Sequence, residues 1–348
     1  MKKCFLIFAV ALLGMQVIAQ NHDRKEPFLV KSLSNETIKD AEVKTSGGSI
    51  SVTAVSASEA KLEVYIYAHS ENGKEDHSKE EIQKRLDELY DLTITVSNNK
   101  LTAIAKSKAK ISDWKRSLTI AFKLFVPKNV STDLSTSGGS INLDGISGNQ
   151  LFTTSGGSLN IKNVSGKING RTSGGSINLS NSSDDIELST SGGSINAENC
   201  EGKLKLTTSG GSLNLKNLKG VINATTSGGS VRGGTIGGEL TTHTSGGSIY
   251  LDDLSCSLET STSAGNINVS IKELGKFIHI STSAGNITLG LPKSKGIDIN
   301  LSADKIVMDK PENFKGEIDE EEVEGKLNGG GVPVKVKASS GRISLTLK

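Results

Sequence analysis

Between Thr136 and Asn266 the apolar positions of this chain recur every 18 residues. Counted from a Thr at position 1, positions 6 and 8 are apolar, as in Ile141/Leu143, Leu159/Ile161, Ile177/Leu179, Leu213/Leu215, Ile249/Leu251 and Ile267/Val269. Position 7 between them is usually Asn: Asn142, Asn160, Asn178, Asn196, Asn214 and Asn268. Alternation at period two marks a strand with one face buried. A second strand precedes each Thr, with inward positions 15 and 17, as in Ile186/Leu188 and Leu204/Leu206. Continuing that alternation turns the Thr inward, where the hydroxyls are expected to form a stack.

The punctuation has the same period. Thr-Ser-Gly-Gly-Ser begins at Thr136, Thr154, Thr172, Thr190, Thr208, Thr226 and Thr244, and the variant Thr-Ser-Ala-Gly-Asn at Thr262. Ser-Gly-Gly reads as a tight turn, because Gly accepts backbone angles that other residues resist. A second turn, rich in Asn, Lys, Ser and Gly, closes the unit, with an apolar residue at position 11 (Ile146, Val164, Leu218, Ile236, Leu254) and often Gly at position 13 (Gly148, Gly166, Gly202, Gly220, Gly238).

One unit holds too few apolar residues to fold alone, so successive units must stack and share a core. The expected fold is all-β: a single-stranded parallel β-helix with 18-residue coils. Strands about 4.8 Å apart would give eight units a rise of roughly 38 Å. A right-handed winding is expected from the preference of crossovers between parallel strands. A helical solenoid is excluded, since no apolar 3.6 period exists and Gly, Ser, Thr and Asn are poor helix formers. A hexapeptide left-handed helix needs apolar residues at positions 6, 12 and 18, but these are Ile177, Ser183 and Ser189 in one unit and Leu213, Lys219 and Thr225 in another. Calcium-binding nonapeptide rolls need an Asp that Ser-Gly-Gly-Ser does not supply.

Outside the regular stretch the pattern loosens. A first rung, Glu42 to Val52, carries Thr45-Ser46-Gly47-Gly48-Ser49. Strand-like runs follow at Leu62–Ile66, Leu92–Val96, Leu101–Ala105 and Leu118–Val126, and they read as irregular rungs covering one end of the stack. One helix interrupts them near residues 79–91: Ser78-Lys79-Glu80-Glu81 is a capping box, and Ile82, Leu86 and Leu89 recur at helical spacing. It is expected to pack on the solenoid side. After Thr282-Ser283-Ala284-Gly285-Asn286, Leu301–Val307 and Val334–Leu347 read as later rungs, and the acidic stretch Asp309–Glu324 as a loop or cover. The expected organisation is a signal peptide over 1–19, an irregular segment over 20–40, irregular rungs with the helix over 41–135, the regular solenoid over 136–289, and C-terminal rungs and cap over 290–348. Residues 41–348 form one continuous domain.

Charge and composition narrow the setting. Lys2 and Lys3 account for the net +2; without them 38 basic residues face 38 acidic ones, which disfavours a nucleic-acid partner. Lys2-Lys3, the apolar run Phe5–Leu13 and Val17-Ile18-Ala19 have the layout of a secretory signal peptide. The apolar run is too short for a membrane span. The mature chain is expected in the periplasm, on the outer cell surface or outside the cell, with no transmembrane segment. Cys200 and Cys256 fall three coils apart, roughly 14 Å along the axis, which is too far for a disulfide.

The Thr-Ser-Gly-Gly-Ser-Ile-Asn-Leu rungs, the Val126-Pro127 strand end before them, and the late Leu327-Asn328-Gly329-Gly330-Gly331 with Ser340-Gly341-Arg342-Ile343 resemble DUF4097, a bacterial family labelled putative adhesin and similar to the GIN-domain head adhesins. The likeness runs over residues 40 to 348. It implies a parallel β-helix exported to the envelope or cell surface, and it brings no catalytic residues.

The residues themselves offer little chemistry. His22, His69, His77, His243 and His279 are scattered, and no Cys-x-x-Cys or His-x-x-x-His spacing points to zinc. No nucleophile elbow or phosphate loop is present. Asp184-Asp185 and Asp252-Asp253 are turn pairs four rungs apart, not one acid–base constellation. No catalytic, cofactor or metal residues are assigned. The Asn column reads as a hydrogen-bond ladder, broken on neighbouring rungs by Arg232 and Tyr250, an arrangement suited to contacting a glycan or peptide. The leading reading is a non-enzymatic exported solenoid that recognises a macromolecule, a glycan or an envelope protein. The alternatives are an envelope structural or stress-signalling component that binds a partner protein and, third, a polysaccharide lyase or hydrolase.

Overall fold

A computed structural model describes residues 26–68, 78–108 and 116–348. The expected signal peptide lies outside the described residues.

The central coils stack as their period requires. Strands β1 (Leu29–Ser32), β2 (Asp40–Lys44), β3 (Ile50–Ala54), β4 (Lys61–Ala68), β5 (Tyr90–Ser97), β6 (Lys100–Ser107) and β7 (Leu118–Val126) build the N-terminal end. Above them rise β8 (Ser131–Ser135), β9 (Ile141–Asp144), β10 (Ser147–Thr153), β11 (Leu159–Lys162), β12 (Ser165–Thr172), β13 (Ile177–Ser180) and β14 (Ser183–Thr190). From there the two strands of a coil run together as β15 (Ile195–Thr208), β16 (Leu213–Thr226), β17 (Val231–Thr244), β18 (Ile249–Ala264) and β19 (Ile267–Ala284). Pairing is parallel, and each residue meets the one 18 positions on: Ile141 lies beside Leu159, Leu159 beside Ile177, and Ile168 beside Ile186. The longer coil between Thr262 and Thr282 is absorbed by register shifts between Leu251 and Leu258, after which Leu258 pairs with Ile278.

Inward positions 6, 8, 11, 15 and 17 form mainly apolar columns, as in Ile177, Leu179, Ile186 and Leu188, all essentially inaccessible to solvent, with buried polar exceptions at Gln150, Ser182, Thr242 and Thr260. The column at position 17 shows how neighbouring coils share volume. Phe152 leans over Gly170, where an added Cβ would meet the Phe152 ring at 2.2 Å and Leu188 at 2.8 Å. Gly170→Ala alone is expected to cost about 1–3 kcal/mol by overpacking, and Phe152→Leu alone to leave a void. The double variant is expected to be more stable than the sum of the two losses, as a double-mutant cycle of denaturation midpoints reads out.

The repeat Thr is buried, but its hydroxyl does not stack on other hydroxyls. Thr172 Oγ1 donates to the Gly157 carbonyl at 2.7 Å, Thr190 Oγ1 to Gly175 at 2.8 Å, and Thr208 Oγ1 to Gly193 at 2.8 Å. The same oxygen accepts the N–H three residues on, Gly193 to Thr190 at 3.3 Å. The backbone of the glycine corner is therefore a nearer and less easily satisfied partner than the next Thr. A hydroxyl pair does form at position 17, between Thr242 and Thr260 at 2.7 Å.

Both ends depart from simple winding. Strands β2 and β3, first of the rungs in the sequence, are second in the stack: β2 lies between β6 and β8, and β3 between β7 and β9. The end rung is supplied by β6 and β7, and β4 and β5 flank it antiparallel, not as parallel rungs. Within the segment read as irregular, β1 adds antiparallel to β4. The other end repeats the device. Strands β20 (Ile287–Leu291), β21 (Ile297–Ser302), β22 (Lys305–Met308), β23 (Phe314–Ile318), β24 (Glu322–Leu327), β25 (Val332–Ala338) and β26 (Arg342–Leu347) close it. Here β25 inserts between β19 and β21, and β26 between β20 and β22. The acidic stretch is an antiparallel hairpin, β23–β24, laid on β21. Such hairpins cover strand edges that would otherwise recruit another chain.

The helix α1 (Lys79–Leu89) begins as its sequence requires, with Ser78 Oγ accepting the Glu81 N–H at 3.3 Å. It buries Leu86 and rests on β4 and β5, the two strands that flank the end rung antiparallel. It therefore lies across the N-terminal end and not along the solenoid side. The open end of the core offers uncovered apolar surface there, whereas the sides present polar columns. Tyr90 locks the junction: its hydroxyl donates to the Leu118 carbonyl at 3.1 Å and accepts the Leu118 N–H at 2.9 Å.

Near this end Glu42 sits between Lys100 and Lys44, with an Nζ at 2.6 Å from each. Hydrogen bonds from Lys100 and then Lys44 pull its carboxyl down to about 2. A depressed folded-state pKa stabilises above the unfolded value and is lost as pH falls through the folded one. Glu42→Gln is thus expected to lower the melting temperature slightly at pH 7, by under about 1 kcal/mol for a solvent-screened pair. The difference should close as pH drops from about 4 to about 2, and melting curves across that range check it.

Candidate functional site

The strand bearing positions 6 to 9 buries 6 and 8 and turns 7 and 9 outward. Over the later coils these two outward columns border a groove of about 1050 Å³ that runs from Asn178 to the last strand. Its wall at position 7 is a ladder of amides. Asn160 Nδ2 donates to Asn142 Oδ1 at 2.8 Å, Asn178 to Asn160 at 2.9 Å, Asn196 to Asn178 at 2.9 Å, and Asn214 to Asn196 at 2.8 Å. Parallel in-register stacking of identical side chains makes this possible, since every Asn meets another at the strand spacing.

A second ladder was missed in the sequence. Asn163, Asn181, Asn199 and Asn217, at position 10, have φ between 49 and 55°. Asn tolerates this left-handed region better than most residues. Their amides also chain, Asn199 to Asn181 at 3.3 Å and Asn217 to Asn199 at 2.7 Å. The signal was present in the strict recurrence of Asn at one position of the second turn. Asp184, one of the turn pairs, is likewise structural: at φ 85° it accepts the Gly166 N–H at 2.8 Å.

Both ladders stop in the same coil. Where the preceding coil reads Asn214-Leu215-Lys216-Asn217, the coil starting at Thr226 reads Arg232-Gly233-Gly234-Thr235 across positions 7 to 10. At Gly233 the Leu251 and Ile236 side chains lean into the space, their ends 2.8 Å and 3.1 Å from where a Cβ would sit, while Gly234 leaves position 9 of the groove empty. Arg232 pairs in register with Tyr250 of the next strand, and its guanidinium carbon lies 5.6 Å from the Tyr250 ring centroid. Tyr250 remains 40% exposed. Neither side chain makes a hydrogen bond or ion pair among the described residues. The two residues singled out in the sequence are thus together and on the groove.

The charged groups around them are differently placed. Lys216 is held by Glu198 at 2.8 Å, which raises the Lys216 pKa. Asp252 borders the groove one coil beyond Gly234. The remaining candidates fall elsewhere. His243 Nδ1 and Ser261 Oγ are 2.9 Å apart at position 18 of their coils, off the groove, and the His279 ring lies 5.0 Å from that of Phe277. His22, His69 and His77 lie outside the described residues. Among the described residues no group of three His, Cys, Asp or Glu side chains is placed to hold a metal ion. Cys200 and Cys256 are buried in the core with free thiols, and burial pushes the Cys256 thiol up to about 12. No described helix is long and apolar enough to cross a membrane.

Residues 238–346 match the family described as Toastrack DUF4097. Two solved structures are similar to the chain. A putative adhesin from Bacteroides fragilis NCTC 9343 is 13% identical, with 75% of this chain and 96% of that one covered and a TM-score of 0.37. A putative cell adhesion protein from Clostridium sporogenes ATCC 15579 is 11% identical, with 92% of this chain and 98% of that one covered and a TM-score of 0.21. No curated protein matches.

Proposed function

We propose that this chain, whose residues 238–346 match the Toastrack DUF4097 family, is an exported, non-enzymatic adhesin-type solenoid that recognises an extended macromolecule along its Asn-lined groove. The observation that carries this reading is the groove itself. It repeats the same amide at the same spacing over three coils, Asn178, Asn196 and Asn214, and is then broken on two neighbouring coils by an unpaired Arg232 and a half-exposed Tyr250. A repeating surface suits a repeating ligand, because many weak contacts add through effective concentration.

The non-enzymatic part rests on what borders the groove. Amides and hydroxyls predominate, and the two carboxylates on the lining, Glu198 and Asp252, stand three coils apart at position 9, roughly 14 Å along the axis, with Glu198 tied to Lys216. Glycoside hydrolysis calls for two carboxylates flanking the bond. Export rests on the basic and apolar layout of residues 1–19.

Two measurements test the reading. Protease added to intact cells is expected to degrade the protein; full protection there would favour an envelope component that binds a partner of the same cell. Purified protein on a glycan array is expected to bind without releasing products, and turnover of a bound glycan would overturn the non-enzymatic assignment.

A further inference from the structure

We infer that the Arg232–Tyr250 break in the ladder is a subsite for an acidic sugar within an extended glycan chain. This rests on the recognition reading above and gives it a ligand class.

The first argument is charge. Arg232 stands in the groove with a ring face beneath it and no carboxylate or carbonyl partner among the described residues. A guanidinium in that position keeps its N–H edge available, and that edge matches a carboxylate in a bidentate fork. Lys216, the nearby cation, is already taken by Glu198. The second argument is room. Gly234 places no side chain at position 9, beside Arg232 and between Lys216 and Asp252. The depression lies next to the exposed Tyr250 ring, so a flat, partly apolar ring can rest on the aromatic while its acid group reaches the Arg.

Spacing then decides between a glycan and a peptide. The coils repeat about every 4.8 Å, whereas an extended peptide advances about 3.4 Å per residue. A peptide laid along the groove falls out of phase with the amides within a few residues. A pyranose ring linked through opposite corners spans roughly one coil and keeps phase. Chemistry agrees. Each ladder Asn spends one N–H and one lone-pair direction on its neighbours, leaving one of each for groups that both donate and accept, as sugar hydroxyls do. Asp252, one coil on, can accept from a hydroxyl but repels a carboxylate.

The test uses the mature protein with polygalacturonate and polymannuronate, both linked 1→4 across the ring, as acidic probes, each against its methyl-esterified form. Affinities are measured by calorimetry or biolayer interferometry. At least one acidic polymer is expected to bind, and to bind at least tenfold more tightly than its ester. Arg232→Gln, with an unchanged melting curve, is expected to weaken acidic-polymer binding about tenfold or more and to abolish the preference over the ester. Tyr250→Ala should weaken both forms, and Asp252→Asn should tighten the acidic form. Equal binding of acid and ester, or an unaffected Arg232→Gln variant, overturns the acidic-sugar subsite. So does failure to bind any of these polymers by protein that still attaches to a cell or envelope surface, an outcome that leaves the recognition reading standing. Protein that attaches to no surface at all overturns that reading, and the subsite with it.

Discussion

Alanine at Gly193 is expected to lower the unfolding midpoint sharply, whereas alanine at its neighbour Gly192 should leave it almost unchanged. Both are glycines of one Ser-Gly-Gly corner, and neither needs a left-handed backbone. The difference is what lies one coil below. A Cβ at Gly193 would sit 2.1 Å from the Gly175 carbonyl oxygen, 2.5 Å from its carbon and 2.6 Å from the Ser176 nitrogen. A Cβ at Gly192 meets nothing nearer than the Ser173 oxygen at 3.5 Å, an ordinary contact. The Gly175 oxygen also accepts the Thr190 hydroxyl, so an added methyl attacks the corner bond as well as the spacing. Backbone cannot rotate aside as a side chain can. The loss should therefore exceed the roughly 1–3 kcal/mol of an overpacked core, against about 0.5 kcal/mol or less at Gly192. Urea denaturation with amide exchange on coils 172–208 reads the contrast. Similar midpoints for the two variants would sink the account of the corner.

The same corner shows what a sequence with a strict period does and does not disclose. The contact between Gly193 and Gly175 follows from arithmetic once the coils stack at 18 residues, and so does the adjacency of Arg232 and Tyr250. The inward columns were legible because alternation at period two is a purely local signal. The hydroxyl partner of the repeat Thr was not, because it depends on how near the glycine carbonyl comes and not on the side chain's direction. Nor was the order of rungs at the ends. Thr45-Ser46-Gly47-Gly48-Ser49 has the same pattern wherever it stands in the stack, and only pairing with both β6 and β8 shows that it is second. The antiparallel pairing of β4 and β5 was hidden for a related reason: alternation sets which face is buried but not which way the neighbour runs. The groove was half legible. Its Asn wall and its Arg–Tyr break are in the repeat, while its depth beside Gly234 requires the backbone.

Excising residues 190–207 is expected to leave a folded solenoid one coil shorter, while deleting residues 332–348 is expected to yield insoluble protein. The excision joins Ser189 to Thr208 without disturbing the period. Ile177 would then stack on Leu213, Ile186 on Ile222, and the amide of Asn214 would reach Asn178 in place of Asn196, each pair matching in position within the coil. The only ion pairs broken are the surface pairs of Lys205 with Glu187 and of Lys216 with Glu198, among the described residues, and exposed pairs of this kind contribute little. In a quasi-one-dimensional protein the loss is one coil's intrinsic stability and one interface, so the melting temperature should fall by only a few degrees. The second deletion removes β25 and β26, a rung held on both sides. It strips Ile278–Thr282 and Ile287–Leu291 of their partners on one side and leaves the β21–β24 cap with no parallel neighbour beneath it. Open edges beside exposed apolar columns recruit other chains. Fewer residues are lost than in the first variant, so size alone predicts the opposite ranking. Soluble yield and size-exclusion profiles decide: a soluble, monodisperse 332–348 deletion, or an unfolded excision variant, would refute the stacking order assigned to this end.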